Sequence, residues 1–539
     1  MLMTRLPAPV AIFSLGILLG SLSSLAGCSA EHYSQRADDA ATRILEIEES
    51  RATRERREFV QVPSLVTDGE DLDETGRRSS KAEAIEYEPT RVLSLGDALE
   101  LAVKGNRDHL RRRESLYLRA LSLRGVRHSY APQLDLSLGY LFNDGAGGQT
   151  SQGVGVNGGV SQVLPWGGTL SFDADTGYET QGSEQNHSTS AGVHLTQPLL
   201  RGAGAAISHE SLIQAERDLV YSIRDFELAR EEFSIDVASR FFNLVRSGRT
   251  IENLQTNLDG FVFYRKQAEA LYNVGRASEL DVLRARRSEL NSTDDLISAQ
   301  EERLVSLDRF RIFLGLPKSQ PVEVKPEAPE YVDANFDIEE AVDLAFENRL
   351  DVITRIQQLE DERRGVAIAK DGLRPDLTLT STFGTSSDPV HSFDDQDFRR
   401  DAFTAGLSMS LPVDRVSEGN AYRQAQIGMV QAERSFQEFR DDLELQIRSS
   451  FRELERRRQS LDIQEELIFG QEKNVRIAQL RFEQGSGQVD NRDVTEANDQ
   501  LLEARNRMID ERVNYEIARL QLLKDLGILF IDEKGMFQE

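Results

Sequence analysis

Cysteine is all but missing from this sequence. Cys28 stands alone among 539 residues, so no disulfide can form within one chain. Positive charge is also short: 64 Lys and Arg against 91 Asp and Glu give a net charge of −27. Phosphate backbones would be repelled, which argues against nucleic acid as a partner and leaves room for acidic surfaces or an acidic channel. After residue 28 no apolar run comes near the roughly 20 residues that a membrane-spanning helix needs. If such a chain crosses a membrane, it must do so as a closed β-barrel. Proline is missing from two long stretches, Ile207 to Val274 and Asn420 to Gln484. Helices of that length approach about 100 Å.

The N-terminus carries Arg5, an apolar run from Val10 to Leu22, and then Leu25-Ala26-Gly27-Cys28. A short apolar core ending in small residues predicts a secretory signal over 1–27 rather than a span. The Leu-Ala-Gly-Cys ending resembles the bacterial lipobox, in which the Cys is acylated, palmitate included, and becomes the first mature residue. Ser29, rather than Asp, follows it and fits export to the outer membrane. Residues 28–90 are polar and read as an extended periplasmic arm with one short helix near Asp38–Arg54.

Two copies of one unit fill most of residues 91–528. LSLGDALELAVKGNRD (93–108) matches FDIEEAVDLAFENRLD (336–351), and Pro132 matches Pro375; both pairs lie 243 residues apart. The next landmarks, Pro198 and Pro412, are 214 apart, so the first copy holds 29 more residues before them. Gly275 and Gly485 are 210 apart, and the Leu-Gly pairs at 314 and 526 are 212 apart. The sequence thus divides into repeat 1 (91–317), a Pro-rich linker (318–335), repeat 2 (336–528) and a tail (529–539). Leu212, Ala215, Leu219, Ile223 and Phe226 recur at helical spacing, with charged residues opposite. A stripe on so long a helix must pack on other long helices.

Six segments alternate with period two instead. Leu134, Leu136, Leu138, Tyr140 and Phe142 share one face of strand 132–142, and strands are also expected at about 154–163, 169–178 and 189–197. Repeat 2 has two, about 376–383 and 402–411, whose polar faces carry Thr378, Thr380, Gly406 and Ser408. Their oily faces would meet lipid and their small polar faces a wet lumen. Leu164-Pro165-Trp166-Gly167-Gly168 makes a tight turn, while the joins at 143–153 and 179–188 are longer. Short turns on one side and long loops on the other are the habit of outer-membrane barrels. The extra 29 residues therefore read as one added hairpin. Six strands cannot enclose a lumen from one chain, so several chains must share the barrel and the helical tube.

These motifs, in this order and twice over, resemble the TolC-like outer-membrane efflux protein family. LSLGDALELAVKGN, YAPQLDLSLGY, LTQPLLRG, LYNVGRASELDVLRA, FLGLP, RFEQGSGQVDNRDVTEANDQLLEAR and LLKDLGIL carry the resemblance across about residues 91–528. It implies an α+β membrane protein with two internal repeats. A long α-helical coiled-coil barrel and a transmembrane β-barrel would be shared between three chains. It also implies an exit duct of a tripartite efflux or type I secretion system, working with a periplasmic adaptor and an inner-membrane pump. By the same resemblance, Gly275, Ser278, Gly485 and Gly487 mark helix tips where an adaptor docks. Asp281, Asp493 and Glu496 would then line a periplasmic constriction, and Cys28 would be lipidated. Rings of carboxylates at a constriction concentrate cations, although Asp and Ser also suit ordinary helix starts.

Enzyme chemistry finds no support. Gly153 to Gly158 fits GxGxxG, but the fingerprint needs a helix after it and a strand-like run follows. Seven scattered His residues show no zinc spacing, there is no GxSxG elbow, and the acidic loop 388–397 lacks calcium-loop spacing. No cofactor or metal is expected. The rival reading is a lipid-anchored periplasmic coiled-coil scaffold without a pore. It gives the six strands nothing to do.

Overall fold

The structure, a computed structural model, describes residues 30–52, 90–144, 150–181, 184–317, 319–326, 337–387, 400–411, 413–484, 491–532 and 534–538. Cys28, Gly485, Gly487 and the acidic loop 388–397 lie outside them. Contacts divide the chain into two units, one of residues 1–78, 114–223 and 360–429, the other of 79–113, 224–359 and 430–539. Each unit draws on both repeats.

The first unit is organised by a six-stranded antiparallel sheet. Its strands are β2 (Gln133–Asp144), β3 (Thr150–Val163), β4 (Thr169–Gln181), β5 (Glu184–Pro198), β7 (Asp376–Ser386) and β8 (Arg400–Ser410), in the spatial order β2-β3-β4-β5-β7-β8. The added hairpin, β3 and β4, is paired on both sides and is part of the sheet. β2 and β8 are its two edges and run in opposite directions. Helix α1 (Ala30–Ala52) begins eight residues before the helix expected at Asp38–Arg54. It packs beside α3 (Arg107–Ser129), the helix that feeds β2.

Among the described residues of the second unit, two large apolar cores stand out beside a small cluster at Phe261, Tyr264 and Val494. The first gathers Leu93, Leu99 and Ala102 with Phe241, Phe310, Leu314, Val322 and Leu520. Leu99 and Ala102 come from α2 (Leu95–Gly105), whose start is closed by a capping box in which Ser94 and Asp97 bond each other. The second core gathers Ala341, Val342, Leu443, Ile447, Leu522 and Leu526. Ala341 and Val342 come from α7 (Ile338–Asn348), which precedes α8 (Leu350–Asp371).

Four helices form two hairpins: α5 (Glu210–Asn273) with α6 (Glu279–Phe313), and α9 (Val416–Gln484) with α10 (Asn491–Asp525). The four-residue α4 (Ala205–Ser208) precedes α5. At 64 and 69 residues, α5 and α9 are about 96 and 104 Å long. Residues 318–335, expected as a linker, include β6 (Val322–Val324), which pairs in parallel with β1 (Arg91–Leu93). The expected tail holds β9 (Phe530–Ile531) and β10 (Phe537–Gln538), and Ile531 and Phe537 pack on the first core. Both pieces are too short to show a period and form only because a core lies beside them.

His109 lies buried at the foot of α3, stacked on Phe233 at 4.8 Å. Burial, then the nearby Arg230, Arg113 and Arg112, push its pKa down from 6.5 to about 4. The unfolded chain therefore takes up this proton first. Stability is full above pH 6.5 and drains away as pH falls towards 4, by up to roughly 3 kcal/mol. His109→Phe should flatten that part of the urea-unfolding profile of the helical signal, measured between pH 7 and pH 4.5. An unchanged acid slope would show that another group is responsible.

Candidate functional site

The hairpin tip between α5 and α6 is built by local hydrogen bonds. Gly275 has φ 74°, where a side chain would be strained. Its N–H donates to the carbonyl of Tyr272 at 2.9 Å, and that of Arg276 to Leu271 at 2.8 Å, a Schellman closure of α5. Ser278 then caps α6. Its Oγ accepts from the Asp281 backbone N–H at 3.2 Å, while Asp281 Oδ2 accepts from the Ser278 backbone at 3.0 Å and from its Oγ at 2.6 Å. Asp281 is thus the reciprocal member of a capping box, with Arg284 at 3.8 Å. Leu280 and Leu283 are exposed beside it.

On the second hairpin, Asp493 and Glu496 lie in the first turns of α10 and are exposed. Gln500 Nε2 donates to Glu496 at 3.5 Å. Val494, between them, is buried with Phe261 and Tyr264 of α5. Gln479 of α9 donates to Tyr264 Oη, and Asn253 of α5 donates to Asn506 of α10 at 2.8 Å. Within each hairpin the links are ionic: Arg265 with Glu289 in the first, and Arg457 with Glu511 and Arg505 with Glu472 in the second. Between α5 and the second hairpin these two neutral bonds stand beside an ion pair, Arg246 with Asp510 at 3.6 Å. Sequence reasoning missed Tyr264, Gln479, Asn253 and Asn506. Partners 215 and 253 residues apart leave no local pattern.

The sheet separates its two faces by register. Leu134, Val160, Phe172, Val193, Phe383 and Phe403 stand opposite one another in a single apolar row across all six strands. The row is bare: Leu134 is 81% and Phe403 70% exposed. So large an exposed apolar surface marks a face made for lipid or for protein. The opposite face carries Asp135, Gly159, Asp173, Gly192 and Gly384 in one row. There His194 Nε2 lies 2.8 Å from Asp173, and its Nδ1 lies 3.1 Å from Thr382 Oγ1. Gly153 to Gly158, the dinucleotide-like run, sits inside β3.

Among the described residues no helix is long and apolar enough to cross a membrane. Nor do three or more metal-ligating side chains cluster there. A bare apolar sheet, in a chain without an apolar helix of spanning length among the described residues, fits the class of proteins that meet a bilayer through β-structure. The model of the outer membrane efflux protein family matches residues 126–316 and 341–527, more than half of the chain, which therefore belongs to that family. Outer membrane protein TolC of Escherichia coli (strain K12) is 21% identical over 392 residues, covering 69% of this chain and 76% of TolC. The solved outer-membrane channel OprN superposes with a TM-score of 0.59 at 16% identity, over 82% of this chain and 94% of its own. VceC of Vibrio cholerae gives 0.60 at 16% identity, over 80% and 96%. The protein is an outer-membrane efflux channel with a periplasmic helical portion, and not an enzyme.

Proposed function

We propose that the protein works as a homotrimeric, passive exit duct. Three chains would close one β-barrel of eighteen strands and one helical tunnel, with an adaptor and an inner-membrane pump at the tips. The apolar row across six strands, bare at both unpaired edges, carries this reading. Because β2 and β8 run in opposite directions, β8 of one copy can pair antiparallel with β2 of the next. A lipid-anchored scaffold without a pore would have no use for that surface. Cys28 would carry the lipid. Gly275, Ser278, Gly485 and Gly487 would form the docking tips.

Asp281, Asp493 and Glu496 would ring the closed constriction. Of these, Asp493 and Glu496 carry the selectivity argument, because both are exposed in the first turns of α10. Three copies of two exposed carboxylates concentrate cations in a narrow pore. Asp493→Asn with Glu496→Gln should lower cation over anion selectivity in planar bilayers, and unchanged selectivity rejects the ring. The duct itself is tested by purification in detergent. A heat-modifiable trimer with pore conductance is the expected result, and a water-soluble monomer without conductance would overturn it.

A further inference from the structure

Helix α1 runs beside α3 in the same direction. Tyr117 donates to Asp38, and Arg127 donates to Glu48 at 2.7 Å; both pairs are 79 residues apart in sequence. Two helices that keep one separation over ten residues advance together, whereas antiparallel helices would drift by about 30 Å over that stretch. The seat is dry. Ala41, Ile44, Leu45 and Glu48 of α1 are buried, as are Leu116, Ala120 and Leu123 of α3. Arg127 also donates to Glu216 of α5 at 2.8 Å, so the buried Glu48 carboxylate is held in a three-helix ion cluster. Slipping along the seat would strand that charge, which fixes the register.

Direction then decides where the chain begins. α3 leads into β2, whose first bare apolar side chain is Leu134. The C-terminal end of α1 therefore points towards the sheet and its N-terminal end away. From Asp38 back to Ala30 is about 12 Å of helix, and from Tyr117 forward to Ser129 is about 18 Å. Measured along α3, Ala30 lies roughly 30 Å short of the sheet. Only Ser29 separates Ala30 from Cys28, and two residues reach about 7 Å at most in any conformation. An acylated Cys28 must sit at the bilayer surface, because its chains are buried within the bilayer.

We infer that the seating of α1 on α3 and the anchoring of acylated Cys28 in the outer membrane exclude one another. The inference rests on the acylation proposed above and on the sheet crossing that bilayer. When the lipid is inserted, α1 leaves its seat and bares Leu116, Ala120 and Leu123. When no lipid is attached, α1 is a strap across α3 and α5. The arm is thus a two-position device set by the anchor.

Cross-linking tests this directly. Ala41 and Ala120 share the 79-residue separation and are fully buried, so Ala41→Cys with Ala120→Cys reports a seated helix. The pair is oxidised with copper phenanthroline in two full-length forms. One is the natural chain in outer membranes. The other has residues 1–28 replaced by an ordinary cleavable signal peptide. The cross-link should form in the second form and be lost in the first, while labelled palmitate enters only the first. Equal cross-linking in the palmitate-labelled protein overturns the exclusion. No cross-link in either form overturns the seat. Absence of the label removes the anchor, and the exclusion with it, and leaves the seated helix standing.

Discussion

Arg349→Ala should lower stability by about 3–5 kcal/mol, read as a fall in the urea midpoint of the helical signal in detergent. Arg349 caps α7 through its backbone N–H, and its guanidinium grips Asp351 through two bonds, 3.0 and 2.7 Å. Its third nitrogen donates to the carbonyl of Asp525 at 3.2 Å and lies 3.9 Å from that residue's carboxylate. Asp525 is 1% exposed and also accepts from Gln446 at 2.9 Å and Ser450 at 2.6 Å. Four helices therefore meet at one buried charge pair, and losing the cation leaves a carboxylate in the core. Arg349→Met with Asp525→Asn should recover a large part of the loss, because it removes the orphaned charge as well. A double variant as unstable as the single one would refute the argument. In repeat 1 the equivalent junction is neutral: Asn106 donates to the carbonyl of Phe313 at 2.8 Å and accepts from the backbones of Asp108 and His109.

Gly315→Ala should be far costlier than Gly527→Ala, although the two glycines end equivalent helices with nearly the same dihedral, φ 76° and 70°. Left-handed backbone alone penalises alanine by about 1–2 kcal/mol. At Gly527 a new methyl would meet its nearest neighbour, the nitrogen of Arg349, at 3.1 Å, which a small shift relieves. At Gly315 it would fall 2.0 Å from the carbonyl oxygen of Gly105. Both glycines face backbone, but only at Gly315 is the overlap too deep for a shift of a few tenths of an ångström. A total loss of roughly 3 kcal/mol or more is expected at Gly315, against about 1–2 at Gly527. Equal losses in paired urea titrations would show that the Gly105 contact relaxes freely. The second repeat has Asn348 where the first has Gly105, so only the first can close this tightly.

Much of the fold was legible because its elements are long. Period two around Leu134 and Phe403 and helical spacing after Leu212 each persist over many residues. The strands run further than the alternation, to Asp144 opposite Thr150 and Gln181 opposite Glu184, because ladder bonds continue through polar residues that show no pattern. Ser278 and Asp281 were visible as a Ser-x-x-Asp start, and their capping geometry bears on any gating role given to Asp281. Tyr264 with Gln479, and Arg349 with Asp525, were hidden for one reason: each pair is joined only by folding, across 215 and 176 residues. The start of α1 was hidden for a related one. Only its narrow seat on α3 makes so polar a segment helical.

The added hairpin also limits how such a chain can change. β3 and β4 carry the polypeptide across the sheet and back, so β5 leaves on the side from which β2 was entered. Parity is preserved, and everything after residue 198 is delivered to the compartment it would have reached without the insertion. Gaining or losing a single strand would instead send the second repeat to the opposite side of the bilayer. Width in this lineage should therefore evolve in steps of two strands, by whole hairpins added or deleted at a loop.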